Sequence, residues 1–317
     1  MNRLFRAIPD RLGWDQGIGP FLLKKLPSKT AWSATLGSLC VMLFGVMFVS
    51  GVFLAMYYNP SPDKAYSAID YIMNDVPWGW LLRGLHHWGA SAMVIAVFLH
   101  MMTSFFAGSY KKPREFTWLS GVVMLLIVLG LGFTGYLLPW DLKAYWATTV
   151  STNIPKDIPL VGRFLSRVAL GGDNISGATL TRFYAVHAML LPALLVAFIA
   201  FHIYLVRAHG IAEPEVANAP VDGKPEKVYR FYPEHLWRAS IVFLVAFGIL
   251  LPLSIFGKIP REEVAGTQVE SYLPRPEWYY MWLFQLLTLF PGRFEWVGSL
   301  VVPTLLLTLL FLSLIHI

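Results

Sequence analysis

Six stretches of the chain stay apolar for about the length that a helix needs to cross a hydrocarbon layer roughly 30 Å thick. They lie near residues 36–57, 88–108, 118–138, 185–206, 238–257 and 296–315. The pattern predicts six membrane-spanning helices. Between the third and fourth runs, residues 139–180 are too long for a turn. There, "LKAYWATTV" and "PLVGRFLSRVAL" have helical amphipathic spacing, which predicts helices lying at the membrane surface, with a further one before the last span. Residues 210–235 are rich in proline and charge and read as a linker. The expected architecture is an all-α membrane protein: a four-helix bundle over 1–209, the linker, and a two-helix module over 236–317.

Composition agrees. The 317 residues are 56% hydrophobic and 14% charged, well below the quarter or so charged in soluble domains. The first thirty residues carry Arg3, Arg6, Arg11, Lys24, Lys25 and Lys29 and lack the short apolar core of a signal peptide. Six crossings put the amino terminus, the loop "YKKPRE" and the linker on one side, and their excess of cations places that side in the cytoplasm, as for a bacterial inner membrane. The net charge of +6 is thus an orientation signal, with no interleaved basic and aromatic surface that would suggest nucleic acid. The one cysteine, Cys40, excludes an internal disulfide and haem attachment through paired thioethers.

The second run contains "RGLHHWGASAMVIAVFLHMM", residues 83–102. A separation of fourteen on a helix rises about 21 Å and turns only ~40°, so His86 and His100 share a face, and His87 does not. His187 and His202, fifteen apart, repeat the arrangement on the fourth run, which crosses in the same direction. His86 is therefore expected level with His187, and His100 with His202. A lone histidine in a membrane commonly serves a hydrogen bond or a proton relay. Four at matched depths point instead to two haem irons, each with an axial imidazole pair, in an apolar bundle. Gly37 and Gly51, and Gly121 and Gly135, are also fourteen apart and read as clearance for the macrocycle edges. Arg83 and Arg207 are placed to meet haem propionates. "GLGFTG", 130–135, matches a dinucleotide fingerprint but follows no strand and is rejected as one; Asn174 opens a chance sequon. A transporter relaying protons through histidines is the non-enzymatic alternative.

Together with the histidines and glycines, "GYLLPWD" after the third run and "PEWYY" before the last resemble the cytochrome b subunit of the cytochrome bc complexes, quinol:cytochrome c oxidoreductases, over about 30–295. "KKPREFTW", "GYLLPWD" and "ATLTRFY" are similar to the cytochrome b6 branch, with a region like its small partner subunit fused from about 228. The resemblance implies two non-covalent b haems, at His86/His187 (outer) and His100/His202 (inner). It also implies an outer quinol-oxidising site built from Pro139, Trp140, Pro276, Glu277, Trp278 and Tyr279. Glu277 would take the quinol's proton, with Tyr136 and Tyr279 as hydrogen-bonding neighbours. An inner quinone site would lie near His202, Arg207 and His209 or His235. The partners implied are a Rieske iron–sulfur protein, a membrane-anchored cytochrome c or plastocyanin-like acceptor, a second copy of the chain and a small subunit supplying further helices. Three features depart from the family. Thr35 stands where the b6 branch has the cysteine of a thioether-linked third haem, so that haem is not expected; Thr103 stands where it has an arginine; and the chain stops near its sixth span. With Thr103, propionate pairing at the inner haem falls to Lys111, Arg114 or Arg207. A dihaem quinone-reactive anchor of another respiratory oxidoreductase is the alternative function.

Overall fold

The computed structural model describes residues 23–27, 32–158, 160–212, 228–267, 272 and 275–312. Five helices are long and apolar enough to span a membrane: α1 (Thr35–Tyr57), α3 (Gly79–Phe106), α4 (Glu115–Tyr136), α7 (Gly177–His209) and α8 (Leu236–Phe256). Each begins within a few residues of its apolar run except α3 and α7, which start earlier because polar Arg83, His86 and Arg182 interrupt the hydropathy. The sixth run appears as Val297–Leu312, whose first turn is π-helical and whose remainder is α10 (Val302–Leu312); residues 313–317 lie outside the described residues. Most of the expected linker, 213–227, also lies outside them.

Both expected surface helices are present, as α5 (Leu142–Asn153) and α6 (Gly162–Leu170), and α9 (Met281–Leu289) precedes Val297–Leu312, which among the described residues is shorter than a span. Asp141 caps α5 by accepting the Ala144 N–H at 2.8 Å. Two elements were not foreseen. The amphipathic helix α2 (Ala65–Asn74) packs on α3. A short antiparallel ribbon pairs β1 (Lys25–Pro27) with β2 (Val228–Arg230), joining the chain ahead of α1 to the chain ahead of α8.

Helices α1 and α3 pack together, as do α4 and α7, and α8 closes against α3 and α1. Leu39, Leu43, Met93, Val94, Ile127, Val128, Leu195 and Leu250 meet in one buried cluster. Phe48, Phe53, Phe98, Leu99, Phe201 and Leu244 remain exposed, a distribution that suits lipid. Association in lipid depends on close packing, so small residues mark the crossings. A Cβ on Gly84 would lie 2.5 Å from the Ser254 carbonyl oxygen, which puts α3 and α8 in backbone contact there.

His187 sits at the start of a π turn, Val186–Leu190, within α7. A π turn inserts one residue into an α-helix. The insertion absorbs the difference between the fifteen-residue interval on α7 and the fourteen-residue interval on α3, so both histidine pairs keep one phase.

Gly84→Val should force α3 and α8 apart at a cost of about 1–3 kcal/mol. Thermal unfolding of the detergent-solubilised protein should show a lower midpoint, and an unchanged midpoint would contradict the contact.

Candidate haem and quinol site

The four histidines meet as expected. His86 and His187 face each other with ring centres 6.1 Å apart, and His100 and His202 with centres 6.4 Å apart. A metal–imidazole bond of about 2 Å on each side, with roughly 1 Å more from each nitrogen to its ring centre, predicts about 6 Å for two axial ligands on one iron. Among the described residues no group of three His, Cys, Asp or Glu converges. A pair of imidazoles is an incomplete set for a bare ion but a complete axial set for an iron already held by four porphyrin nitrogens.

Hydrogen bonds set the tautomers. The Leu131 carbonyl lies 3.0 Å from His187 Nδ1, and because a carbonyl can only accept, Nδ1 carries the proton and Nε2 is left as the donor to iron. Ser50 Oγ is 3.0 Å from His86 Nδ1 and already donates to the Val46 carbonyl at 2.7 Å, so it accepts from the ring. Ser120 does the same for His202, 2.9 Å from Nδ1 while donating to the Thr117 carbonyl at 2.8 Å.

Each of the four glycines faces one of these imidazoles. A Cβ on Gly135 would lie 2.5 Å from His187 Cε1, on Gly51 3.1 Å from His86 Cε1, on Gly37 3.2 Å from His100 Cε1, and on Gly121 3.7 Å from His202 Cε1. In this structure the glycines seat the imidazole rings. Three of them directly follow the hydroxyl residue that stands beside the same ring, in Ser50-Gly51, Ser120-Gly121 and Thr134-Gly135. A small hydroxyl residue directly before each of these glycines is the sequence signal for a seated, hydrogen-bonded ring.

A cavity of about 560 Å³ opens beside the His86/His187 pair and is lined also by Arg83, Tyr136, Pro139, Lys143, Glu277 and Tyr279. Glu277 Oε1 lies 3.1 Å from Lys143 Nζ, a partner the sequence reading missed, and Lys143 Nζ sits 5.5 Å from the centre of the Tyr136 ring. Tyr136 donates to the Arg275 carbonyl at 3.4 Å. Tyr279 is buried against α4, where a Cβ on Gly132 would lie 3.0 Å from its hydroxyl. Gly132 and Gly135 thus give the rejected "GLGFTG" a packing purpose. Burial raises the Tyr279 phenol above its usual range and, in the same cavity, does likewise to the Asp141 carboxyl.

The other expected quinol-site residues sit outside this lining. Trp140 is buried with Leu137, Leu180 and Phe183; Pro276 is partly buried; and Trp278 is half exposed, its indole N–H donating to Ser91 Oγ at 3.2 Å.

At the opposite end of the bundle, His235 is buried between Ser38 Oγ, 3.1 Å from Nε2, and the Tyr229 hydroxyl, 3.2 Å from Nδ1. Arg207 lies over the Phe231 ring at 4.4 Å, its carbonyl accepts from Lys24, and His209 is exposed. Thr103 bonds back to the His100 carbonyl at 2.9 Å. Arg114 Nε, just ahead of α4, and Thr117 Oγ1, in its first turn, are buried without a hydrogen-bond partner, seven and four residues before Gly121, which faces His202. Such orphaned groups match the carboxylate end of a haem. Thr35 is fully buried, its hydroxyl donating to the Trp32 carbonyl at 2.6 Å.

Two facing imidazole pairs, three of the four rings of fixed tautomer, inside a transmembrane helical bundle define a multi-pass membrane cytochrome of b type. The comparisons agree. The sequence profile of the family described as Cytochrome b/b6/petB matches residues 23–210. The "Cytochrome bc complex cytochrome b subunit" of Chlorobaculum thiosulfatiphilum is 39% identical over 254 residues, which cover 79% of this chain and 58% of that protein. "Cytochrome b6" of Prochlorococcus marinus (strain MIT 9303) is 42% identical over 179 residues, 56% of this chain and 82% of that one. Among solved structures, a chain of "Hyperthermophilic respiratory Complex III" superposes with a TM-score of 0.87 at 28% identity, over 97% of this chain and 82% of that one. The chain belongs to the cytochrome b/b6 family.

Gly135→Ala should cost the haem at His187, because the new methyl has no room beside that ring, whereas Gly121→Ala should retain full haem. Haem content per purified chain, read from absorbance, checks the contrast; equal content in the two variants would contradict the seating role.

Proposed function

We propose that this chain is the cytochrome b subunit of a bc-type complex that oxidises quinol on the outer side of the membrane and reduces quinone on the inner side, contributing to proton translocation. The observation that carries the reading is the cavity that brings the His86/His187 pair and the Glu277 carboxylate into one space. Haems held at the two histidine pairs supply, when bound, one-electron carriers between the two sides. Similarity to the cytochrome b subunit of a bc complex and to a chain of Complex III supports the same assignment.

Oxidation of a quinol releases two protons and two electrons, so the outer site needs a base that faces substrate. Glu277 is that base: it takes the proton from a quinol hydroxyl, while Tyr136, Pro139 and Tyr279 bound the space in which the ring lies. One electron leaves to a Rieske iron–sulfur protein and then to a membrane-anchored cytochrome c or plastocyanin-like acceptor; neither centre belongs to this chain, which has a single cysteine. At the inner side, the quinone-reducing site lies near His202, Arg207 and His235, and Arg114 and Thr117 would meet the inner haem's propionates. A threonine at 35 offers no thiol, which supports two non-covalent haems and no third. The assembly proposed is a dimer in a bacterial inner membrane, with the amino terminus cytoplasmic. Residues 1–209 hold the haems and 236–317 complete the outer site.

Glu277→Gln should slow quinol:cytochrome c turnover by roughly 10²-fold or more, with both haems still present in the reduced-minus-oxidised spectrum. An unchanged rate would remove Glu277 from the mechanism. Arg114→Leu should lower the midpoint potential of the inner haem alone, because a cation beside a haem favours its reduced form. A redox titration that finds both potentials unmoved would contradict the propionate assignment.

A further inference from the structure

The Lys143–Glu277 pair joins residues 134 apart in sequence, one on a surface helix and one in the loop before α9. Ion pairs on open surface contribute little, but these side chains are only 20% and 21% exposed and line the cavity beside His86 and His187. The backbone that carries Lys143 is held from both sides. Asp141 caps the helix start, Leu142 N–H donates to the Glu263 carbonyl at 2.8 Å, and Ala265 N–H donates to the Trp140 carbonyl at 3.0 Å. A lysine on so fixed a turn, reaching a carboxylate in a substrate-sized cavity, constrains the direction in which that carboxylate points.

We propose that Lys143 is a positioning residue for quinol oxidation, holding the Glu277 carboxylate at the cavity wall in the orientation that receives the quinol's proton. This rests on the reading of Glu277 as the proton acceptor. In the step itself, the hydrogen leaves a quinol hydroxyl oxygen as a proton and bonds to a Glu277 oxygen, leaving the substrate with one more negative charge; no proton leaves Lys143. The neutral acid no longer attracts the ammonium group, so proton transfer itself releases Glu277 from Lys143 and lets it turn outward. The groups facing Glu277 are His87 from α3, Tyr136 from α4, Lys143 from α5 and Tyr279 from its own segment, with Arg83 and Asp141 in the same cavity. Lys143 is the cation in hydrogen-bond contact with it.

The test is kcat and KM for quinol:cytochrome c turnover in the purified, haem-loaded complex, for Lys143→Met, Lys143→Arg, Glu277→Gln and the Lys143→Met/Glu277→Gln double variant. Lys143→Gln replaces Lys143→Met if the latter fails to assemble. Without the contact the carboxylate is free to turn from the cavity, so Lys143→Met should lower kcat about tenfold with KM little changed. Lys143→Arg should restore most of that loss, and in the Glu277→Gln background Lys143→Met should cost nothing further. An undiminished kcat in Lys143→Met, no rescue by Lys143→Arg, or a further loss of the same size in the Glu277→Gln background would overturn the proposal. Slow Glu277→Gln with an undiminished Lys143→Met would overturn the role of Lys143 alone. Undiminished turnover in Glu277→Gln would overturn the reading of Glu277 and this proposal with it.

Discussion

An imidazole inside a membrane must have its Nδ1 proton bonded and its ring given room, and much of this bundle is arranged around meeting that demand. In lipid an unsatisfied polar group is costly. Ser50, Ser120 and the Leu131 carbonyl meet the rings of His86, His202 and His187, and each hydroxyl has already given its own proton to the helix behind it. The same helices present glycine to the same rings. The pairing of α1 with α3 and of α4 with α7 follows, because a histidine on one helix of each pair needs the hydroxyl or carbonyl and the glycine on the other. The π turn at Val186–Leu190 belongs to the same solution, since without it the fifteen-residue interval on α7 would carry its two histidines out of phase with those on α3.

The histidines were legible in the sequence because interval, azimuth and depth on a helix are fixed by geometry, so fourteen residues already place His86 and His100 on one face. The glycine interval was equally visible, yet its cause was not: spacing reports that a face is clear, and only the structure says that an imidazole fills it. Helix α2 and the β1–β2 ribbon went unforeseen because neither is apolar enough to register as a span, and ribbon pairing across some two hundred residues leaves no local pattern. Lys143 was missed for a similar reason. Its partner is distant in the chain, and in sequence it reads only as a charged position on a surface helix.

The cavity beside His86 and His187 draws on both parts of the chain: α3 and α4 supply Arg83, His86 and Tyr136, the α5 start supplies Lys143, and the loop ahead of α9 supplies Glu277 and Tyr279. Tyr279 reaches the bundle because Gly132 leaves space for its phenol. The cavity therefore depends on docking between the histidine-bearing helices and the later segment. The chain spans 58% of the length of its Chlorobaculum relative, and the activity of the assembled complex is a proposal built from this part.

Each of the two facing histidine pairs is proposed to hold one non-covalent haem. A pyridine haemochrome assay with a reduced-minus-oxidised spectrum on the purified chain, before and after acid–acetone extraction, decides this. Two b haems per chain are expected, both extractable. One haem or none would contradict the paired sites, and a third that resists extraction would contradict the reading of Thr35.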